Sequence, residues 1–300
     1  MIKKIFYFCL IFLALPTIMK KNAFCQEYAL VLAGGGGKGA YEVGVWKALC
    51  EYGIGQRVTV FSGTSVGGLN SALFSCVSPQ EAERIWIEQV PSYLTKDDAL
   101  ISQEGLLQII NEIPLNILQH NPFPKAMVTT IRKKGKILGF FKSSPGSAAY
   151  RYILNDEEDL EEIKKELLAT AAFPVLCPPV TLKDGYQYTD GGEEATGGDN
   201  VPFEPVVQKF PEIQNIIVVY LSDRNHIKRR IQKKNWDFKN IDEFFPSIDT
   251  DGNGFWEKML DGTANFTANR IKLLIRQGYE DTVEILRRKG FYPLENYWFE

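Results

Sequence analysis

The chain has 300 residues, 45% of them hydrophobic and 24% charged, which suits one large or two modest globular domains and excludes a disordered chain. Its 34 basic and 37 acidic residues give a net charge of -3, too little positive field for general nucleic-acid binding through phosphate contacts. The 25 Gly and 15 Pro are near ordinary usage and, one glycine run apart, dispersed, so collagenous and low-complexity architectures are excluded as well.

Residues 1–25 read as a signal peptide. Lys3 and Lys4 precede an uncharged run from Ile5 to Leu15, and Ala23 and Cys25 put small residues where a cleavage site needs them. That run is shorter than the roughly 20 residues of a spanning helix. Export, to a periplasm or the exterior, is therefore expected. An uncleaved membrane anchor is the alternative, because the basic pair Lys20 and Lys21 follows the apolar run. Phe24 before Cys25 argues against a lipid-modified cysteine. Cys50, Cys76 and Cys177 are left for the mature chain, with neither CxxC nor Cys/His metal spacing, and are expected as buried free thiols.

Tyr28 to Ala33 is a continuous apolar run ending in four glycines, and Ala40, Val43, Trp46, Leu49 and Cys50 then recur at helical spacing through Lys38 to Tyr52. Val58 to Phe61 predicts a second strand and Leu69 to Ser75 a second helix. Helical patterns follow at Pro79 to Gln89 and Glu104 to Asn111. Ala126 to Lys142 predicts two strands around a turn at Lys133-Lys134-Gly135-Lys136. Asp156 to Thr170 carries charges on one face and Leu160, Ile163, Leu167 and Leu168 on the other, a surface helix. Ile216 to Leu221 predicts another buried strand. Alternating strands and helices imply an α/β domain with a mainly parallel sheet over about 28–225. Residues 226–300 read as a helical extension packed on that domain, with a turn-rich segment from Pro246 to Gly254 and a helical pair around Gly278.

Three segments have the composition of reactive loops. Gly63-Thr64-Ser65-Val66-Gly67 lies between a predicted strand and a predicted helix, the setting of a nucleophile elbow, although a helix-capping serine gives the same pattern. Gly34-Gly35-Gly36-Gly37-Lys38-Gly39 places peptide groups without side chains at a helix N-terminus, which favours negative charge. That run also contains GxGxxG, so a nucleotide-binding domain is a second reading. Against it, the second strand ends in Phe61-Ser62 rather than an acidic residue, and Gly39 follows Lys38 where a phosphate loop needs Ser or Thr.

A serine nucleophile needs a base. His120 and His226 are the two histidines, neither well placed, and Asp190 in Tyr188-Thr189-Asp190-Gly191-Gly192 is a carboxylate candidate, equally readable as a turn aspartate. Asp249 to Gly254 begins like a calcium loop but has Leu260 where the bidentate glutamate belongs, so no metal site is expected. Phe140-Phe141, Phe244-Phe245 and Tyr297-Trp298-Phe299 could dock at a lipid interface or fill the core.

Taken in order, Gly34 to Gly39, Gly63 to Gly67 and Asp190-Gly191-Gly192 resemble the patatin-like phospholipase family. Ala169-Thr170-Ala171-Ala172-Phe173-Pro174 with Pro178-Pro179-Val180, and Asp199-Asn200-Val201-Pro202, are similar to the family's segments on either side of the aspartate. The likeness covers about residues 28 to 222, and Gly278-Tyr279-Glu280-Asp281-Thr282 extends it weakly. It implies a three-layer α/β fold with a mainly parallel central sheet flanked by helices. It further implies a lipid acyl hydrolase acting on phospholipid or related carboxyl esters at a membrane interface, without metal or organic cofactor. The implied machinery is a Ser-Asp dyad, with Ser65 as nucleophile, Asp190 as general base and the amides of Gly35, Gly36 and Gly37 as oxyanion hole. Lys38 stands where the family often has arginine. It either braces the loop, without arginine's planar fork, or is a solvated helix residue. A lipid-binding module without catalysis is the third reading.

Overall fold

The computed structural model describes residues 27–94, 102–133, 148–174, 177–193, 196–225, 231, 235–250 and 262–295. The leader segment, Lys134 to Lys136, Phe140-Phe141, His226, the calcium-like loop beyond Thr250 and Tyr297 to Phe299 lie outside them.

Strand β1 is Tyr28–Leu32, and all five of its side chains are buried, as a continuous apolar run needs when both sheet faces are covered. A 3-10 turn at Gly36–Gly39 leads into helix α1, Ala40–Glu51. Strand β2, Val58–Thr64, gives way after Ser65 to α2, Val66–Cys76. The pattern from Pro79 onward resolves into α3, Pro79–Arg84, capped by the Ser78 side chain, then a π turn at Ile85–Gln89 and α4, Val90–Leu94. Next come α5, Gln103–Asn111, and α6, Asn116–His120. Strands β3, Lys125–Arg132, and β4, Ala149–Ile153, precede α7, Leu160–Thr170. The remainder is β5, Val180–Thr181; β6, Gln187–Asp190; α8, Glu204–Lys209; β7, Asn215–Val219; β8, Asn240–Phe244; and α9, Ala268–Arg288.

One sheet runs β5-β6-β3-β2-β1-β7-β8, with β4 also paired to β3. The central strands β3, β2, β1, β7 and β8 are mutually parallel, whereas β4 and β6 run antiparallel to β3. Apolar side chains form a core on each face. The larger joins Leu30 and Leu32 to α1, α2, α7 and α9, and the smaller joins Ala29 and Val31 to Phe203, Val206 and Val207 around α8. Helices on both sides of a mainly parallel sheet make the three-layer α/β architecture that the resemblance implies. In the larger core the Trp46 ring stacks on Phe74 at 5.5 Å and meets the edge of Phe61 at 5.2 Å, locking α1, α2 and β2 together.

The pairing of β3 decides the chemistry. Met127 to Thr129 pair with β2 on one edge and with β4 on the other, while Thr130 and Ile131 pair with β4 and with β6. Strand β6 therefore takes over the edge that β2 vacates. The last β2 rung is Thr64 opposite Thr129, and the first β6 rung is Asp190 opposite Thr130. Thr64 and Asp190, 126 apart in sequence, thus become neighbours at one point of the sheet.

Of the two strands expected over Ala126 to Lys142, the first is β3, and the second lies outside the described residues; the antiparallel partner β4 begins at Ala149. Two expectations need correction. Residues 226–300 are not wholly helical, since β8 extends the sheet beside β7. The pair of helices around Gly278 is one continuous helix. Its glycine is explained by packing rather than by a break: a Cβ on Gly278 would stand 2.0 Å from Tyr41 O, and one on Gly44 would stand 1.9 Å from Ile275 O. At this crossing the two backbones touch. Tyr41 Oη donates to Asp281 Oδ2 and Tyr279 Oη to Glu51 Oε2, fastening α9 across α1. Gly278→Ala is expected to destabilise the fold by about 2–3 kcal/mol through overpacking, read as a lower urea midpoint at unchanged m. An unchanged midpoint would show that the crossing can open at no cost.

Helix α7 departs in detail from a surface helix. Asp159 caps it, and Leu167 and Ile163 face the core as expected, but Glu162 and Glu166 are buried too. Burial, with Glu157 and Glu162 nearby, pushes the Glu166 carboxyl up to about 8.

Candidate active site

Ser65 occupies the turn between β2 and α2 with φ 55° and ψ -127°, the one positive-φ residue other than glycine among those described. Such a backbone costs about 1–3 kcal/mol and persists where surrounding contacts enforce it. The flanking glycines are a packing requirement. A Cβ on Gly63 would lie 2.0 Å from Gly67 O, and one on Gly67 would lie 2.4 Å from Leu32 O. The elbow can therefore be this tight only with glycine at both positions, and the Ser65 side chain does not cap the helix it precedes.

Asp190 is 3% exposed and accepts from Gly192 N–H at 2.7 Å. Burial pushes its carboxyl up from the ordinary 3.8 to about 6; the nearby Ser65 hydroxyl and the Gly192 N–H pull the other way, and Glu193 adds to the rise. A carboxylate in that range is ionised at neutral pH yet basic enough to take up a proton.

The glycine run arrives beside this pair from β1. Gly34 N–H donates to Asn200 O at 3.2 Å and Lys38 N–H to Gly35 O at 3.3 Å. Between them the amides of Gly35, Gly36 and Gly37 have no acceptor among the described residues. Unpaired amides at the start of a helix are the donors that a developing oxyanion needs. Gly36 has φ 57°, and a Cβ there would stand 2.1 Å from Thr263 O. The backbone of Thr263 to Asn265 closes off this side of the loop. Gly39 packs against Val66, Gly191 against Thr129 and Gly192 against Asn200, and a Cβ on Gly34 would stand 3.1 Å from the Ser65 Cβ.

Lys38 is buried, which removes the solvated-helix reading. Its Nζ reaches Ser222 Oγ at 3.4 Å just past β7. Behind it, Glu42 is fully buried with its carboxyl held well above the usual range, first by burial. Asn70 Nδ2 donates to Glu42 Oε2 and to Gly39 O, and Trp86 Nε1 donates to Asn70 Oδ1, tying α1 to α2 beneath both loops.

Of the two histidines, His226 lies outside the described residues and His120 does not reach this site. His120 is exposed at the end of α6, its Nδ1 2.7 Å from Asn116 O of its own helix. Thr250, in the calcium-like turn, donates to Leu221 O. Phe244 is core and Phe245 stacks on Tyr220 at 4.6 Å, so this aromatic pair serves packing. Cys50 and Cys177 are buried and Cys76 is partly buried.

Residue patterns missed several supports. Asn200 Nδ2 donates to Gly34 O, and Thr64 Oγ1 donates to Asp199 O, so the segment after the aspartate clamps the glycine loop to β2. Arg151 pairs with the buried Asp199 at 2.9 Å. Thr170 Oγ1 accepts from Ser65 N–H. Thr170 and Asn200 fall inside the segments that carry the resemblance, which was the available signal; nothing in residues 263–265 marks them as loop neighbours.

Comparison with known proteins bears on the family of this chain. A family profile described as "Patatin-like phospholipase" matches residues 30–207. Patatin-like phospholipase domain-containing protein 7 of Mus musculus is 26% identical over 171 residues, covering 55% of this chain and 12% of that protein. Patatin-like phospholipase domain-containing protein 6 of Homo sapiens is 27% identical over 169 residues, covering 55% and 11%. The chain thus spans about one-eighth of the length of these relatives. The crystal structure of VipD from Legionella pneumophila shares the fold, with a TM-score of 0.53 at 15% identity over 88% of this chain and 67% of that one. Since the profile takes in both the elbow and the Asp190 loop and more than half of all residues, the chain belongs to the patatin-like phospholipase family.

Proposed function

We propose that the protein is a serine lipid acyl hydrolase that cleaves carboxyl esters of phospholipids through a Ser65–Asp190 dyad. The observation that carries this reading is the placing of Ser65, in its strained elbow, and the buried Asp190 at adjacent points of one β3 edge, next to amides without acceptors. Asp190 takes the hydroxyl proton as Oγ attacks the ester carbonyl carbon, and the Gly35, Gly36 and Gly37 amides receive the oxyanion. Collapse expels the lysolipid alkoxide, which leaves with the proton held by Asp190. Water then attacks the acyl-enzyme, giving its proton to Asp190 and ultimately to Ser65, and a free fatty acid departs. The balance closes with ester and water alone. Contact with the membrane is peripheral, the substrate being a lipid ester, and the basic-then-apolar leader supports export.

The test is fatty-acid release from mixed phospholipid vesicles by the mature chain and by Ser65→Ala. Release by the first and not the second is expected. Vesicle binding without release, and without labelling by a serine-directed phosphonate, would instead identify a lipid-binding module; thermal stabilisation by nucleotide with Ser65 dispensable would identify a nucleotide-binding domain.

A further inference from the structure

We propose that Thr170 is the positioning residue of the Ser65–Asp190 pair, its hydroxyl acting with the carbonyl of Ala172 to set where nucleophile and base sit. The inference rests on the dyad reading above. Strands β2 and β3 pair rung by rung up to Thr64 opposite Thr129. At Ser65 the chain turns out of the strand with φ 55°, and its amide goes to a side chain instead of to the ladder. Thr170 Oγ1 accepts from Ser65 N–H at 3.0 Å and donates to Thr129 O at 2.6 Å. One hydroxyl in relay thus stands in for the next rung and ties the elbow to β3.

Two residues further on, Ala172 O accepts from Asp190 N–H at 3.0 Å. Because Asp190 holds the adjacent position on the same edge of β3, the stretch from 170 to 172 grips both partners of the dyad and fixes their spacing. Thr170 itself cannot swing away. It is fully buried, and its methyl and hydroxyl lie 2.9 and 3.2 Å from where a Cβ on Gly68 would stand, so α2 and β3 confine it. Without the hydroxyl, a partly buried N–H and a buried C=O lose their shared partner, and both can regain one within the protein if the elbow shifts. A shift on the order of 1 Å costs about 100-fold in rate where reacting atoms must stay aligned.

The experiment compares Thr170→Val, which keeps the shape and removes the relay, with Thr170→Ser, which keeps the relay. A second pair, Thr170→Ser against Thr170→Ala, differs only in the hydroxyl and serves should the valine chain not fold. On a soluble p-nitrophenyl ester, kcat is expected to fall about 30- to 100-fold in the valine chain with KM within about threefold, and the serine chain to stay within about threefold of wild type. The acid limb of the pH profile should move to higher pH in the valine chain, because the Ser65 hydroxyl, which helps hold the Asp190 carboxyl down, is displaced with the elbow. A residue that merely stabilised the fold would leave that limb in place. Hydrogen exchange at the Ser65 amide should speed up in the valine chain and not in the serine chain, a readout independent of activity. Wild-type kcat, an unmoved limb or unchanged exchange in a folded valine or alanine chain would overturn the proposal. Ser65→Ala runs in the same assay: activity surviving there defeats the dyad reading, while the exchange comparison still judges the relay.

Discussion

Asp190→Asn is expected to yield a chain that is more stable than wild type above pH 7 and about 10²–10⁴-fold slower in kcat, the range a positioned general base contributes. Both effects have one cause. Burial makes the ionised carboxylate costly, and raising the group from 3.8 to about 6 corresponds to about 3 kcal/mol. Between these values the folded chain holds a proton that the unfolded chain has released, so wild-type stability falls as pH rises through this window and is level above it. Asparagine accepts the Gly192 N–H without carrying charge, so its advantage should be near zero at pH 4 and reach about 1–3 kcal/mol by pH 7. Paired urea titrations at pH 4 and pH 8 give the answer. Wild-type activity should fade below about pH 6 as Asp190 protonates. A variant no more stable at pH 8 than at pH 4, relative to wild type, would mean that Asp190 is better solvated than its burial implies.

Gly36→Ala is expected to lower kcat about 10²–10³-fold, as loss of an oxyanion donor does, with a smaller change in KM. At φ 57° alanine is strained, and its methyl would meet Thr263 O, so the loop must retreat and carry the Gly36 and Gly37 amides with it. Backbone strain alone does not explain such a loss, and a control separates the two. Gly185 has φ 79° in the turn between β5 and β6, with open space around it, so Gly185→Ala bears the same strain without touching the glycine loop. Its kcat should match wild type. Equal losses in both variants would trace the effect to general destabilisation, and an active Gly36→Ala chain would move the oxyanion hole elsewhere.

What was legible in the residues was local. The β1 run, the GxSxG context and the glycine run each announce themselves through composition and spacing, because strand burial, tight turns and close backbone approach select particular residue types. The elements that failed are those set by distant partners. Gly278 looks like a helix break in sequence, and only the backbone of α1 pressed against it shows why glycine sits inside a helix. Glu166 belongs to a charged face by its pattern, yet the strands beneath α7 bury it. In the site, Ser65 and Asp190 could be named through the resemblance, but the hand-over of one β3 edge from β2 to β6 that makes them neighbours is a matter of topology. The carbonyl wall at Thr263 and Asn265 left no local trace because backbone carbonyls belong to every residue.

The central claim is that Ser65 carries the acyl group between ester and water, and mass spectrometry of the protein quenched during turnover tests it most directly. The account predicts an acyl mass on the peptide containing Ser65, formed by wild type and absent from Ser65→Ala. An acyl group on another residue, or ester hydrolysis by the Ser65→Ala chain at the wild-type rate, would contradict it.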